Sequence, residues 1–302
     1  MRDRVILKLN GGLGNQMFQW ALARMIEETT DMEVYLDMSY FQKRYARPFE
    51  LGIFRLEPKL IEDKLTKLKL EIIWRLRALL KWEEFLGITL YSEAKFNFDP
   101  SITRIKPNTF IEGYFQSELY FKCIEKKLRE DFVFAKFPDG VNSRLRNEIT
   151  SENSVSLHIR RGDYVQKKRY QDVYATCSLD YYKRGVELIA QKHPNPIVFI
   201  FSDDIPWVKK NLKLPYECVY VSHNTGENSY EDMRLMSLCK HNVIANSSFS
   251  WWGAWLNTNP EKIVVAPQKW FNDENIIQTD VIPENWMRLD NGVKYGDNIS
   301  SN

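Results

Sequence analysis

Hydrophobic positions along the chain fall into two regimes. From residue 155 onward, short continuous apolar runs at 155–159, 197–201, 218–222, 242–245 and 262–266 alternate with stretches of helical spacing at 179–191, 205–211, 229–240 and 250–257. Apolar runs of that length, separated by helices, predict a parallel sheet covered on both faces, so this half reads as Rossmann-like. Before residue 150 the pattern is sparser. A run at 5–9 predicts a strand, Asn10 to Gln16 a glycine loop, and Phe18, Ala21, Leu22, Met25 and Ile26 a helix over 17–28, with another strand at 33–36. Between 64 and 86, Leu65, Leu68, Ile72, Leu76 and Leu79 recur at helical spacing among Lys64, Lys67, Lys69, Arg75, Arg77 and Lys81. This predicts a basic amphipathic helix, either a solvated surface helix or one lying on an anionic bilayer. The expected organisation is an N-terminal α/β domain over 1–150, a Rossmann-like domain over 151–290 and a flexible polar tail over 291–302.

Composition narrows the class. A length of 302 residues favours two domains of ordinary size, and 44% hydrophobic with 27% charged residues is usual for a globular protein. A net charge of +2 argues against a nucleic-acid binder but leaves room for a local basic cleft. Cys123, Cys177, Cys218 and Cys239 lack the paired spacing of a zinc site; Cys218 and Cys239, in apolar surroundings, read as reduced packing residues of a reducing compartment. The start of the chain lacks the apolar segment of a signal peptide, and no run of about 18 apolar residues is present. The expected location is the cytoplasm, with peripheral membrane attachment through 64–86 as the alternative.

Candidate chemistry gathers at the carboxyl ends of the predicted strands, where open α/β sheets bind ligands. His158-Ile159-Arg160-Arg161-Gly162-Asp163-Tyr164 ends one strand with two guanidiniums, suited to the oxygens of a diphosphate leaving group. A structural ion pair of an arginine with Asp163 is the plainer alternative. Strand alternation puts His158 and Arg160 on one face; His158 packs either against a nucleotide or within the core. Ser202-Asp203-Asp204 ends the next strand, offering a helix cap or a carboxylate for guanine or ribose. Asp232 admits the same two readings in the first turn of a helix. Asn246-Ser247-Ser248-Phe249-Ser250 opens a helix with free N–H groups and hydroxyls, and Trp251, Trp252 and Trp255 follow as packing or as a sugar-stacking platform. The loop Gly11-Gly12-Leu13-Gly14 fits neither the dinucleotide fingerprint, because Met17 stands where the last glycine belongs, nor the Walker pattern. Asn15 and Gln16 add side-chain amides able to bond a sugar or a phosphate. No Asp-x-Asp and no His/Cys cluster of metal-ligand spacing occurs in the sequence, so neutralising a leaving diphosphate falls to arginine and backbone dipoles.

Four stretches, in order, resemble the bacterial α1,2-fucosyltransferases of glycosyltransferase family 11. They are Gly11-Gly12-Leu13-Gly14-Asn15-Gln16-Met17-Phe18-Gln19, Glu112-Gly113-Tyr114-Phe115-Gln116-Ser117-Glu118, His158 to Tyr164, and Asn246 to Trp252. The resemblance implies a two-domain GT-B-type fold and an inverting, metal-independent reaction that needs no cofactor. It implies transfer of L-fucose from GDP-β-L-fucose to the 2-hydroxyl of a terminal galactoside on an oligosaccharide or lipid-linked glycan, as in O-antigen or capsule biosynthesis in a bacterial cytoplasm. It assigns Arg160 to the β-phosphate. Asp163 is the candidate base, although the adjacent arginines would lower its pKa; the alternative is late proton loss to a phosphate oxygen. Gly12, Gly14, Asn15, Gln16, His158, Arg161, Asp203, Asp232, Ser247, Ser248 and Phe249 are the expected donor-side residues, with Tyr114, Gln116 and Trp251 on the acceptor side. The alternatives are a fucosyltransferase of other linkage and a non-catalytic nucleotide-sugar or glycan-binding protein.

Overall fold

The computed structural model describes residues 3–44, 47–76, 84–85, 87–93, 95–136, 140–161, 175–273 and 276–292. The chain divides into two compact units, Met1–Ala135 and Lys136–Asn302, ahead of the expected boundary at 150. Each is an α/β unit on a largely parallel sheet.

The first unit holds β1 (Arg4–Lys8), β2 (Glu33–Asp37), β3 (Glu84–Phe85), β4 (Ile88–Ser92) and β5 (Thr109–Glu112) in the order β2-β1-β5-β4-β3. Among the described strands of this sheet, β3–β4 is the antiparallel pair, and the others run parallel. Helix α1 (Leu13–Thr29) buries Met17, Phe18, Ala21, Leu22 and Met25, the stripe expected from the sequence, but it starts four residues early. Asn15 and Gln16 therefore lie in its first turn rather than in a loop. Helix α2 (Lys64–Leu76) covers the sheet with Leu70 and Ile73 against Ile6, Ile88 and Phe110. Burying such side chains stabilises by about 1.5–3 kcal/mol each. Leu65 and Leu68, 64% and 54% exposed, belong to a second apolar stripe turned away from that core. The expected continuation of this helix through 77–83 lies outside the described residues. A helix α3 (Glu125–Asp131) closes the unit.

The second unit opens with α4 (Gly140–Ser151) and carries β6 (Ser154–Ile159), β7 (Ile197–Ser202), β8 (Cys218–Val221), β9 (His241–Val243), β10 (Val264–Pro267) and β11 (Met287–Leu289). All pairs are parallel, in the order β11-β10-β9-β6-β7-β8. Strand β7 shows why its run is continuously apolar. Val198 and Ile200 pack on one face with α5 (Leu179–Ala190) and α6 (Ile205–Asn211), while Phe199 and Phe201 pack on the other with Ile149 of α4 and Leu235 of α7 (Tyr230–Leu238). The expected tail does not begin at 291. Asn291 is buried; its amide exchanges two hydrogen bonds with the Lys269 backbone and its carbonyl accepts from Ser178 N. Residues 293–302 lie outside the described residues. No helix among the described residues is long and apolar enough to cross a membrane.

Helix α5 approaches the sheet at Gly185, where an added Cβ would stand 2.8 Å from Val243 Cγ1. Alanine would gain up to about 1 kcal/mol of helix propensity, whereas overpacking a filled core costs about 1–3 kcal/mol. Gly185→Ala is therefore expected to lower the thermal unfolding midpoint; an unchanged or raised midpoint would show that the contact yields.

Candidate active site

In the second unit, the parallel strands deliver their chemistry to one edge. Strand β6 is buried throughout and ends by releasing Arg160 and Arg161. The neighbouring β7 supplies Asp203, whose Oδ2 lies 2.8 Å from Arg160 Nη1 and whose Oδ1 accepts from Arg161 N at 2.9 Å. Both side chains of the Arg160–Asp203 pair keep 26% exposure. Asp203, expected on the donor side, is thus spent on orienting the arginine loop. The guanidinium of Arg161 stacks on Trp207 with Cζ 3.4 Å from the ring centroid, and its Nε lies 3.5 Å from Asp204 Oδ2. These two contacts hold Arg161 in place beside α6. Asp204, not Ser202 or Asp203, caps α6, accepting from Trp207 N. Asp163, the expected base, lies outside the described residues.

His158 is buried, and its Nδ1 has no hydrogen-bond partner among the described residues. Burial, helped by the Arg160 charge and opposed by Asp203, pushes its pKa down to about 4, so the ring is neutral at pH 7. It lies 6.0 Å from the ring of Phe249, centroid to centroid. Beyond β9, Asn246 ties the loop down by donating to the carbonyls of Ala175 and Trp270. Ser247 is the N-cap of α8 (Ser248–Leu256), yet its hydroxyl makes no capping bond, and Ser248 is likewise only partly buried. Trp251 does not serve an acceptor: it is fully buried, donates Nε1 to Val281 O at 2.7 Å, and packs against Trp252, Trp255 and Trp286. Packing, not sugar stacking, accounts for the tryptophan cluster.

After β8 comes a polar cluster that sequence reasoning found only in part. Asn224 Nδ2 donates to Asp232 Oδ1 at 2.8 Å, Asn142 and Asn224 exchange amide bonds, and His223 Nε2 lies 2.8 Å from Asn142 Oδ1. Burial drives the Asp232 carboxyl up to about 7, with Glu231 adding and Asn224 opposing. Asn142, His223 and Asn224 carry no motif spacing; only the strand end at 221 marks their neighbourhood.

In the first unit, two of the motifs meet. Gly11 takes φ +80°, and a Cβ there would stand 2.6 Å from Asn15 Nδ2. The start of α1 already has an anion: Glu50 Oε2 accepts from Leu13 N at 2.9 Å. Gln16, expected on the donor side, is wholly buried and spends its amide on Gly11 O, Pro48 O and Glu50 N. Gly12 is the N-cap, and Gly14 is buried within the first turn. Asn15 Oδ1 accepts from Gln116 Nε2 at 2.8 Å, and Gln19 bridges Asn10 N to Gly113 O. These bonds tie the glycine loop to the 112–118 motif, because β1 and β5 are adjacent and parallel. Glu93, which follows β4, accepts from Tyr114 N at 2.7 Å and Phe115 N at 3.0 Å, holding Phe115 at φ +55°. Tyr114 is partly exposed there, while Gln116 is buried. Nothing in the sequence flags Glu50 or Glu93, since single carboxylates far from their partners leave no pattern.

With this geometry in place, comparison with known proteins decides the family. The model for "Glycosyl transferase family 11" matches residues 2–290. The chain belongs to that family. It is 34% identical to an α1,2-colitosyltransferase of Escherichia coli, across 95% of this chain and 99% of that protein. The O-antigen biosynthesis glycosyltransferase WbnK of Escherichia coli is 31% identical, across 93% and 99% of the two chains. Human galactoside α-(1,2)-fucosyltransferase 1 is 22% identical across 82% of this chain and 64% of its own length. Among solved structures, fucosyltransferase NodZ from Bradyrhizobium superposes with a TM-score of 0.48 at 15% identity, covering 84% of this chain and 92% of that one. At that similarity the superposition adds nothing to the assignment. The family 11 chain is therefore a glycosyltransferase.

Folding raises the Asp232 carboxyl from 3.8 to about 7. Between those values the folded protein holds a proton that the unfolded chain has lost, so this group makes stability fall as pH rises through the window. Asp232→Asn keeps the acceptor for Asn224 and removes the buried charge. It is expected to melt roughly 2–4 °C or more above the wild type at pH 8 and close to it at pH 5. Equal differences at the two pH values would contradict a buried, titrating Asp232.

Proposed function

We propose that this family 11 enzyme transfers L-fucose from GDP-β-L-fucose to the 2-hydroxyl of a terminal galactoside, with inversion and without a metal, making an α1,2-fucosylated glycan. The observation carrying this reading is the Arg160–Asp203 pair at the carboxyl edge of the β6–β7 pair, within a family match that spans the chain. A guanidinium held in place can donate to phosphate oxygens while keeping its carboxylate partner, because its planar fork carries five donors. Charge developing on the leaving GDP then meets a preorganised cation, a stronger effect than one that must reorient. The unspent hydroxyls and free N–H groups at the start of α8 offer a second anion contact. Asp232, amid side-chain amides, suits guanine or ribose, and Phe249 with neutral His158 suits an uncharged surface of the donor. Tyr114 and Gln116 are the residues proposed to meet the acceptor.

A second reading concerns the sugar. The identity to a colitosyltransferase favours a colitosyl donor as the competitor. Turnover of the two donors side by side with lactose, lacto-N-biose and N-acetyllactosamine, with linkage analysis of each product, separates sugar, acceptor and linkage. Donor binding without GDP release from any acceptor would mark a non-catalytic binder.

Arg160→Ala is expected to lower kcat by about 10²–10³, the usual loss on removing one preorganised charge stabiliser. Near wild-type turnover would sink the leaving-group role. A cytoplasmic protein docking peripherally through the Leu65 and Leu68 stripe, with Lys64 and Lys67 beside it, should cosediment with anionic but not with zwitterionic vesicles. Equal sedimentation with both would remove that proposal.

A further inference from the structure

Ligands of open α/β sheets bind beyond the carboxyl ends of the strands. In the first unit, β4 ends there beside a cavity of about 240 Å³. Tyr91, Phe98 and Tyr120 give it an aromatic wall, and Glu93, Lys95 and Asp99 contribute charged groups. The wall is braced by its own contacts. Phe98 and Tyr120 pack edge to face with centroids 5.0 Å apart, and Phe115 packs on Tyr120 at 5.3 Å and on Tyr91 at 6.4 Å. Tyr120 Oη accepts from Asp99 N and donates to Asn97 O, each at 3.1 Å. Asp99 in turn accepts from Tyr91 Oη at 2.7 Å and from Ser101 N at 2.9 Å. These groups hold one another in a single arrangement, so ordering them around a ligand costs little.

Size and charge narrow the ligand. Pockets for drug-sized ligands run to about 300–1,000 Å³, so this cavity is too small for a nucleotide sugar and suits a single sugar ring. Among the described residues that line it, Glu93 and Asp99 stand against Lys95 alone, a balance that repels a diphosphate. Both Glu93 oxygens already hold backbone N–H groups. Asp99 and Lys95 are exposed. Each bonded Asp99 oxygen keeps a second lone pair for a hydroxyl, and the Lys95 ammonium donates. A hexopyranose has the matching form, with an apolar C–H face for the aromatic wall and hydroxyls around its edge. We propose that this cavity is a saccharide subsite for the sugar next to the galactose in the acceptor glycan. This rests on the sugar-transfer reading of the same enzyme. Tyr114 and Gln116, proposed above for the acceptor, are not among the described residues that line the cavity, but Glu93 joins it to their loop by accepting from Tyr114 N. Binding energy from a ring that does not react can be used to position the one that does, so a shortened acceptor loses turnover.

The test compares acceptors with and without the second ring. Lactose, lacto-N-biose and N-acetyllactosamine carry one, and methyl β-galactoside does not. With GDP-fucose as donor, at least one disaccharide should exceed methyl β-galactoside in kcat/KM by about tenfold or more. In Lys95→Ala and Asp99→Asn that ratio should fall about tenfold, the loss of one hydrogen bond to a charged group. Neither substitution removes a ring of the wall, and Asp99→Asn keeps an acceptor for Ser101 N, so both should melt with the wild type. Saturation-transfer NMR with GDP present gives a readout that needs no turnover: the second ring of the disaccharide should receive saturation in the wild type and much less in the variants. Absence of transfer to every acceptor counts against the proposed function, while the NMR contrast still reads the subsite. Equal kcat/KM of the wild type on all four acceptors, a ratio kept by both variants, or no saturation of the second ring would overturn it.

Discussion

The contact on which the second unit's edge depends is the grip of Asp203 on the loop after β6. One carboxylate holds the Arg160 guanidinium at 2.8 Å and the Arg161 backbone N–H at 2.9 Å. A pair this exposed contributes about 0–1 kcal/mol to stability, so its value is geometric. With both oxygens engaged, the arginine cannot swing into solvent without also freeing the backbone that carries it. Trp207 and Asp204 fix the next residue, Arg161, by stacking and charge. The burial that keeps His158 neutral beside Arg160 leaves the positive charge in the guanidinium instead of spreading it over two residues.

How much of this was legible depends on the physics of each element. Strand β7 read clearly because a parallel sheet covered on both faces demands an unbroken apolar run, as Phe199 and Ile200 on its opposite faces demonstrate. Strands β4 and β11 did not, since each is short and at least half of its side chains are only partly buried, leaving neither a run nor an alternation to read. Helix α1 started early because its N-terminus is completed by Glu50, a partner 37 residues away from Leu13 that no capping pattern announces. The gathering of charge at the strand ends was legible, because Arg160, Arg161, Asp203 and Asp204 directly follow apolar runs. Which carboxylate would hold Arg160 was not legible: Asp163 is near in sequence, but Asp203 is brought close by strand pairing, with Ile159 opposite Ser202.

Side-chain amides give the first unit a different character. A phosphate-cradling glycine loop leaves backbone N–H groups free to meet the anion. Here the N–H of Leu13 is taken by Glu50, that of Asn10 by Gln19 and those of Asn15 and Gln16 by Gly12 O. The amides of Gln16 and Gln19 then brace the loop against Pro48 and Gly113. Gly11 is needed because the chain turns there at positive φ, close against Asn15.

That contrast sorts the chemistry of the two sheet edges. The second unit ends its strands with guanidiniums and an open helix start, the groups that stabilise a departing diphosphate. The first ends its strands with Asp37, Glu93 and Glu112 and draws Glu50 onto its helix, so a diphosphate there would meet carboxylates that are already holding the local N–H groups. Hydroxyls meet no such repulsion, because a carboxylate oxygen accepts from O–H and can take its proton. In the first unit, burial raises the Glu50 carboxyl above its ordinary value, outweighing the hydrogen bond from Leu13 N and the charge of Arg47.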